Sequence, residues 1–225
     1  MASMYGLIFD VDGVIADSEA VNVRATSRVF EDVLGITGVL TEDFRLGIGR
    51  GAQEYVKAGA RAHGRDLSPE EVAKAVIARQ ETFIAMLKAD TLPAFPGVLE
   101  LISGALADPA LRLAIGTSST REKSMSVLES AHVPFDKMAY VCGGDVTNKK
   151  PHPEVFTVAC QRLELAPQRC VVIEDAPNGV EAAHAAGCTC IAVTNTCTRD
   201  ELQQADRVVD SLIHVSVDTI KQLIE

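Results

Sequence analysis

The 225-residue sequence predicts an α/β fold in which a parallel-sheet core is interrupted, just after its first strand, by an all-helical insertion. Short β-branched runs alternate with helical patterns after about residue 110, the pattern of a parallel sheet with crossover helices. Residues 17–92 contain no strand-like run and carry helical patterns and caps instead. A further strand-like run, Tyr5–Val11, precedes the insertion and belongs with the later strands.

The strand candidates in chain order are Tyr5–Val11, Leu111–Gly116, Ala139–Cys142, Cys170–Glu174, Cys190–Val193 and Arg207–Val209. Within the insertion, Val23, Phe30, Val33 and Leu34 share a helical face that runs up to Gly35 as a stop. Ser68-Pro69-Glu70-Glu71 supplies an N-cap, a proline at the first helical position and a glutamate at the third. That start opens a helix carrying Val72, Val76, Phe83 and Leu87. Phe95-Pro96-Gly97 marks the return to the core. Later, Ser119-Thr120-Arg121-Glu122 and Thr198-Arg199-Asp200-Glu201 fit capping boxes, and Pro153 suits a first helical turn. The expected organisation is therefore a core of residues 1–16 and 93–225 and a helical cap of residues 17–92. A helical unit hung on two crossing segments of chain is expected to move as a lid.

Composition excludes several classes. Hydrophobic residues make up 47% and charged residues 23%, which excludes a disordered or collagen-like chain. Lys+Arg 21 against Asp+Glu 31 gives a formal net charge of −10. Such a chain repels phosphate backbones and anionic lipid at long range, so neither nucleic acid nor membrane is an expected partner. The apolar runs stop short of the roughly 18–20 residues that a membrane span needs. No basic and then apolar leader opens the sequence, so a cytoplasmic location is expected. The six cysteines include no CxxC pair and read as reduced, packed thiols. No strongly apolar exposed stripe is evident, and a monomer is expected.

Chemistry concentrates at strand ends. The first strand runs into Asp10-Val11-Asp12-Gly13, two carboxylates on the same side of extended chain. A calcium loop starting at Asp10 would need glycine at its sixth position and glutamate at its twelfth; Ile15 and Val21 stand there. Thr117-Ser118-Ser119 follows the second strand and offers hydroxyls and N–H groups at a helix start, an anion site or a plain cap. Lys149-Lys150-Pro151 follows the third strand, and Glu174-Asp175 ends the fourth. Each cluster alone is weak, but all converge on one sheet edge, where open parallel sheets bind ligands. Four carboxylates cannot all ionise at close quarters without a cation, so a hard divalent ion is implied. Mg²⁺ fits, because it takes oxygen ligands and shares its shell with phosphate.

These four motifs, in this order and spacing, resemble those of the haloacid dehalogenase superfamily, and the set spans nearly the whole chain. The nearest likeness is to its β-phosphoglucomutase-like phosphatase and mutase branch. The resemblance implies a Rossmann-like core with an inserted helical cap, and Mg²⁺ as cofactor. It implies Asp10 as a nucleophile that becomes an aspartyl phosphate, and Asp12 as the general acid and base. Thr117 matches the hydroxyl of the second motif, with Ser118 supplying a neighbouring N–H to substrate. Lys150, directly before Pro151, matches the lysine of the third motif in preference to Lys149. Glu174 and Asp175 match the metal ligands of the fourth, joined by the Asp10 carboxylate and the Asp12 carbonyl.

The implied activity is hydrolysis of a small phosphomonoester, a sugar phosphate by preference. Dehalogenation on the same fold needs no second aspartate, and Asp12 is present. In the cap, Gly47-Ile48-Gly49-Arg50 resembles a loop whose arginine holds a substrate's distal phosphate, and Arg79 lies near a second cationic contact. Either arginine could equally be a surface residue. No strand precedes this Gly-x-Gly, so it is not a dinucleotide fingerprint. Where β-phosphoglucomutases carry a histidine about ten residues beyond the second aspartate, this chain has Asn22, a departure that favours phosphatase over mutase. A non-catalytic phospho-acceptor on the same scaffold is the third reading. It would be expected to lack Asp12 or Lys150, and both are present. His63, His132, His152, His184 and His214 add nothing to the site.

Overall fold

The computed structural model describes residues 4–47 and 51–224. The chain divides into two compact units, Met1–Asp17 with Thr91–Glu225, and Ser18–Asp90.

The first unit is built on a six-stranded sheet. Its strands are β1 (Tyr5–Phe9), β2 (Leu111–Gly116), β3 (Ala139–Val141), β4 (Cys170–Glu174), β5 (Thr189–Val193) and β6 (Arg207–Val209). They lie in the order β3-β2-β1-β4-β5-β6, and every pairing is parallel. The order reverses direction between β1 and β4, and ligands bind at such a switch point beyond the carboxyl ends of the strands. Register puts Phe9 opposite both Ile115 and Ile173, so β1, β2 and β4 run out side by side. All five residues of β1 and of β4 are buried, as strands covered on both faces require. The fold is the Rossmann-like α/β architecture that the strand pattern implies.

Five helices accompany the sheet: α4 (Val98–Ala107), α5 (Arg121–Ser130), α6 (Glu154–Leu163), α7 (Pro177–Ala186) and α8 (Val217–Gln222). Val155, Phe156, Ala159 and Leu163 of α6 and Val180, Ala182 and Ala183 of α7 pack with Ile8, Ala114 and Val172 into one apolar cluster. The six cysteines are free, and five are buried.

Three local expectations change. The first strand stops at Phe9 rather than Val11, because the chain turns at once: Ile15 donates to the Val11 carbonyl at 2.9 Å. The cap of α5 is Thr120, not Ser119. Thr120 accepts from the Lys123 N–H, while the Ser119 hydroxyl donates to Asp12. The Thr198–Glu201 box does form, with Glu201 accepting from the Thr198 N–H at 2.8 Å, but only turns follow it. Asp206 is drawn back by the Cys190 N–H at 2.7 Å, so the chain must re-enter the sheet at Arg207.

The second unit holds α1 (Ser18–Val29), α2 (Ala52–Ala62) and α3 (Pro69–Ala89), with a π-turn at Phe30–Leu34 and a 3₁₀ segment at Thr41–Gly47. The full capping box at Ser68 and Glu71 forms, with Pro69 at the first helical position. The π-turn widens the end of α1 before Gly35 closes it in the left-handed conformation. Buried residues on that face are Val21, Ala25, Val29, Phe30 and Leu34, while Val23 and Val33 are only half-buried. Phe44 stacks on Tyr55 at 4.7 Å between ring centres and meets Phe30 edge-on at 5.5 Å, anchoring the unit's own core.

Candidate active site

Asp10 follows β1 directly, and its N–H continues the ladder to the Ile173 carbonyl at 3.0 Å. Glu174 ends β4, and Asp175 follows it. This register delivers three buried carboxylates, Asp10, Glu174 and Asp175, to one place at the switch point, with candidate ligand atoms within 4.8 Å of one another.

Lys150 is the cation among them. Its side chain is 6% exposed, and its ammonium lies 2.6 Å from Asp10 Oδ1 and 2.6 Å from Glu174 Oε1. The Gly116 carbonyl is 3.3 Å away, and the Phe156 ring lies 4.6 Å beneath. Three acceptors match the three N–H donors of an ammonium. Burial works to lower the Lys150 pKa, but the charges of Asp10 and Glu174 outweigh it and hold the lysine firmly protonated. Lys149 is exposed.

One lysine does not balance three carboxylates. Burial, reinforced by Glu174 and Asp12 and opposed by Lys150, pushes the Asp10 pKa up to about 7. Burial, with the charges of Glu174 and Asp10, raises Asp175 well above the ordinary carboxylate range. Without another cation the cluster keeps protons that ordinary carboxyls would lose at neutral pH. With Lys150 as the near cation, three ionised carboxylates leave a deficit of two positive charges. An all-oxygen donor set with that deficit fits a hard divalent ion such as Mg²⁺.

The backbone shapes the cluster. Gly13 has φ +78, and a Cβ there would come within 1.9 Å of Asp175 Oδ2, so both its conformation and its bareness are used. Its carbonyl accepts from Asn195 Nδ2 at 2.8 Å. Glu174 Oε2 accepts from the N–H groups of Asp175 and Ala176 at 2.9 and 3.2 Å, just before α7.

Asp12 has other partners, although its charge still helps to raise the Asp10 pKa. Ser119 Oγ donates to its Oδ2 at 2.5 Å, and Lys123 Nζ lies 3.0 Å from its Oδ1. The Asp12 side chain is thus outside the carboxylate cluster. Thr117 is buried, its N–H bonds the Val141 carbonyl at 3.0 Å, and its hydroxyl accepts from the Ser119 N–H at 3.1 Å. Ser118 Oγ is buried and has no hydrogen-bond partner among the described residues. That hydroxyl is a donor which the site can offer to a bound group.

Within the helical unit, Arg79 Nε donates to Thr26 Oγ1 at 2.8 Å and Nη2 donates to Asn22 Oδ1 at 3.1 Å. The guanidinium lies 4.5 Å from the centre of the Tyr55 ring. Tyr55 in turn donates to Glu19 Oε1 at 3.0 Å. Arg50 lies outside the described residues.

Lys123 and Asn195 join the site without a role in the sequence reading, and Ser119, which there belongs to the helix-start hydroxyl cluster, becomes a partner of Asp12. Asn195 could have been found, because it follows β5 at the same carboxyl edge as the four motifs. Lys123 carries no such signal, since a lysine one turn into a helix reads as a solvated residue.

The profile of the haloacid dehalogenase-like hydrolases matches residues 7–193. Protein CbbY of Cereibacter sphaeroides is 31% identical over 211 residues, 91% of each chain. Hexitol phosphatase A of Escherichia coli is 30% identical over 215 residues, 94% of this chain and 93% of that one. A crystal structure of a mutant CbbY from Rhodobacter sphaeroides in complex with xylulose-(1,5)bisphosphate superposes with a TM-score of 0.85 at 28% identity, over 97% of this chain and 99% of that one. Fold, strand-end carboxylates and these likenesses agree, and the chain belongs to the haloacid dehalogenase-like hydrolase family.

Proposed function

We propose that the protein is a Mg²⁺-dependent phosphatase that hydrolyses a small sugar phosphate through an aspartyl phosphate on Asp10. The observation that carries this reading is the buried Lys150 ammonium, 2.6 Å from both Asp10 and Glu174 in a three-carboxylate cluster that still lacks positive charge. The likeness to a hexitol phosphatase and to a CbbY structure in complex with a sugar bisphosphate supports the substrate class.

Asp10, Glu174 and Asp175, with the Asp12 carbonyl, would hold Mg²⁺, which supplies charge neutralisation between the Asp10 carboxylate and a phosphate dianion. Asp10 attacks phosphorus as its ester bond to the sugar oxygen breaks, and Asp12 gives that oxygen a proton. Asp12, now ionised, takes a proton from water as the water oxygen attacks phosphorus. The bond to Asp10 breaks, inorganic phosphate leaves, and both aspartates return to their starting states. Lys150 holds Asp10 in place and offsets charge on the phosphoryl oxygens. The Ser118 N–H, its unpartnered hydroxyl and the Thr117 hydroxyl serve those oxygens as well. Arg50 and Arg79 are the proposed cap cations for the far end of the substrate. The enzyme is read as a cytoplasmic monomer with a small phosphorylated metabolite, not nucleic acid or membrane, as its partner.

The test is inorganic phosphate release from a panel of sugar phosphates and other phosphomonoesters, with and without Mg²⁺. Mg²⁺-dependent release, strongest on one sugar phosphate, is expected. The panel includes β-glucose 1-phosphate with coupled detection of glucose 6-phosphate. Isomerised glucose phosphate with little free phosphate would make the protein a phosphomutase instead. Absence of turnover on every ester would leave a phospho-acceptor.

A further inference from the structure

We infer that Lys123 is a positioning residue for Asp12, aiming its carboxylate at the attacking water in the second half of the reaction. The inference rests on the aspartyl-phosphate reading above.

Lys123 is the third residue of α5, whose start is fixed by the Thr120 cap. A cation in a first helical turn opposes the helix dipole, so helix stability does not account for it there. Its side chain is only 19% exposed, and its ammonium is turned onto Asp12 Oδ1 at 3.0 Å. From the same helix start, Ser119 Oγ donates to Oδ2 at 2.5 Å and lies 3.5 Å from the Lys123 ammonium. The two anchors reach Asp12 from 107 and 111 residues away, one on each oxygen. Held on both oxygens, the carboxylate has its plane fixed by Ser119 and Lys123.

In the step concerned, the water oxygen bonds to phosphorus, the bond from phosphorus to Asp10 breaks, and one water proton passes to Asp12. Lys123 and Ser119 neither gain nor lose a proton. Their role is orientation, where a misplacement of about 1 Å can cost on the order of 100-fold in rate.

The probe is p-nitrophenyl phosphate in Mg²⁺ buffer, because p-nitrophenolate departs without a proton and the acid role of Asp12 is bypassed. Lys123→Met is expected to lower kcat and KM together by about tenfold, leaving kcat/KM within about twofold. A burst of p-nitrophenolate approaching one per enzyme, with trapped phosphoenzyme, accompanies that split. Lys123→Arg restores kcat to within about threefold of wild type. Ser119→Ala, acting on the opposite oxygen, shifts kcat and KM in the same direction and carries the test should Lys123→Met fold poorly. A parallel loss of kcat/KM without a burst, or an unchanged kcat in both variants, overturns the inference. Asp12→Asn separates the two failures. If it traps phosphoenzyme while the Lys123 and Ser119 variants do not, only the positioning role is lost. If it turns over like wild type, the reading of Asp12 fails and takes the inference with it.

Discussion

Gly179, in the first turn of α7, lies bare against the carboxylate of Glu174: a Cβ at Gly179 would sit 1.9 Å from Glu174 Cδ. The glutamate cannot step aside, because Lys150 holds one oxygen and the Asp175 and Ala176 N–H groups hold the other. In an open helix, alanine would favour the fold over glycine by about 0.8–1 kcal/mol. Here the contact reverses that sign.

Gly179→Ala is therefore expected to destabilise by about 1–3 kcal/mol, the usual cost of forcing extra volume into a packed site. Urea unfolding checks it. A neutral or stabilising alanine would show that Glu174 is free to move and is not a fixed member of the cluster.

Removing Lys150 leaves Asp10 and Glu174 buried without their common cation. Lys150→Met is expected to cost about 3–5 kcal/mol, as breaking one side of a buried ion pair does. Adding Mg²⁺ should recover part of that loss, because the divalent charge replaces what the ammonium supplied. Phosphate release should stay abolished, since the methionine offers neither a hold on Asp10 nor a positive charge beside the phosphoryl oxygens. Thermal melts with and without Mg²⁺, beside the phosphate assay, measure both effects.

The raised pKa of Asp10 has a direction that can be worked out. Its folded value of about 7 lies above its ordinary 3.8, so between these pH values the folded protein holds a proton that the unfolded chain has lost. Stability contributed by that proton is present below about 3.8 and is lost as pH rises through about 7. Asp175 is shifted in the same direction. Mg²⁺ needs both groups ionised, so protons compete with it. The rise in melting temperature on adding Mg²⁺ should be larger at pH 8, roughly 5 °C, than at pH 5.5, roughly 2 °C or less. Asp10→Asn should flatten the difference. An equal Mg²⁺ effect at both pH values would place the ion away from Asp10.

The legible part of this molecule is what short-range pattern controls. Three of the motifs sit directly at strand ends and Lys150 follows β3 by a loop, and a parallel sheet brings all such ends to one edge, so Asp10, Thr117, Lys150 and Asp175 could be gathered from the sequence. The carboxylate deficit was visible for the same reason. What pattern could not supply was direction. Asp12 and Asp10 share a side of extended chain in the sequence, yet β1 stops at Phe9, and Asp12 swings to Ser119 and Lys123. The shift of the α5 cap from Ser119 to Thr120 follows from that tertiary contact, which overrides a local capping rule. The link from Arg79 to Asn22 spans 57 residues between α1 and α3, and nothing local to either helix announces it.

That link makes Arg79 the most exacting test of the helical unit. Thr26 is fully buried and Asn22 nearly so, and each accepts a hydrogen bond from the same guanidinium, which also lies over Tyr55. Arg79→Met keeps most of the side-chain volume but leaves the Asn22 carbonyl oxygen without that donor, at a cost of about 1–3 kcal/mol. Arg79→Lys keeps the charge but not the planar fork that reaches two acceptors at once, so it should recover only part of the loss. As a proposed substrate cation, Arg79 should also raise KM for the best sugar phosphate by about tenfold when replaced by methionine, with kcat changed far less. Urea unfolding and steady-state kinetics on the same preparations separate the two roles. A destabilised Arg79→Met enzyme with unchanged KM would leave Arg79 a brace between α1 and α3, and the substrate's far end would have to be held by another group.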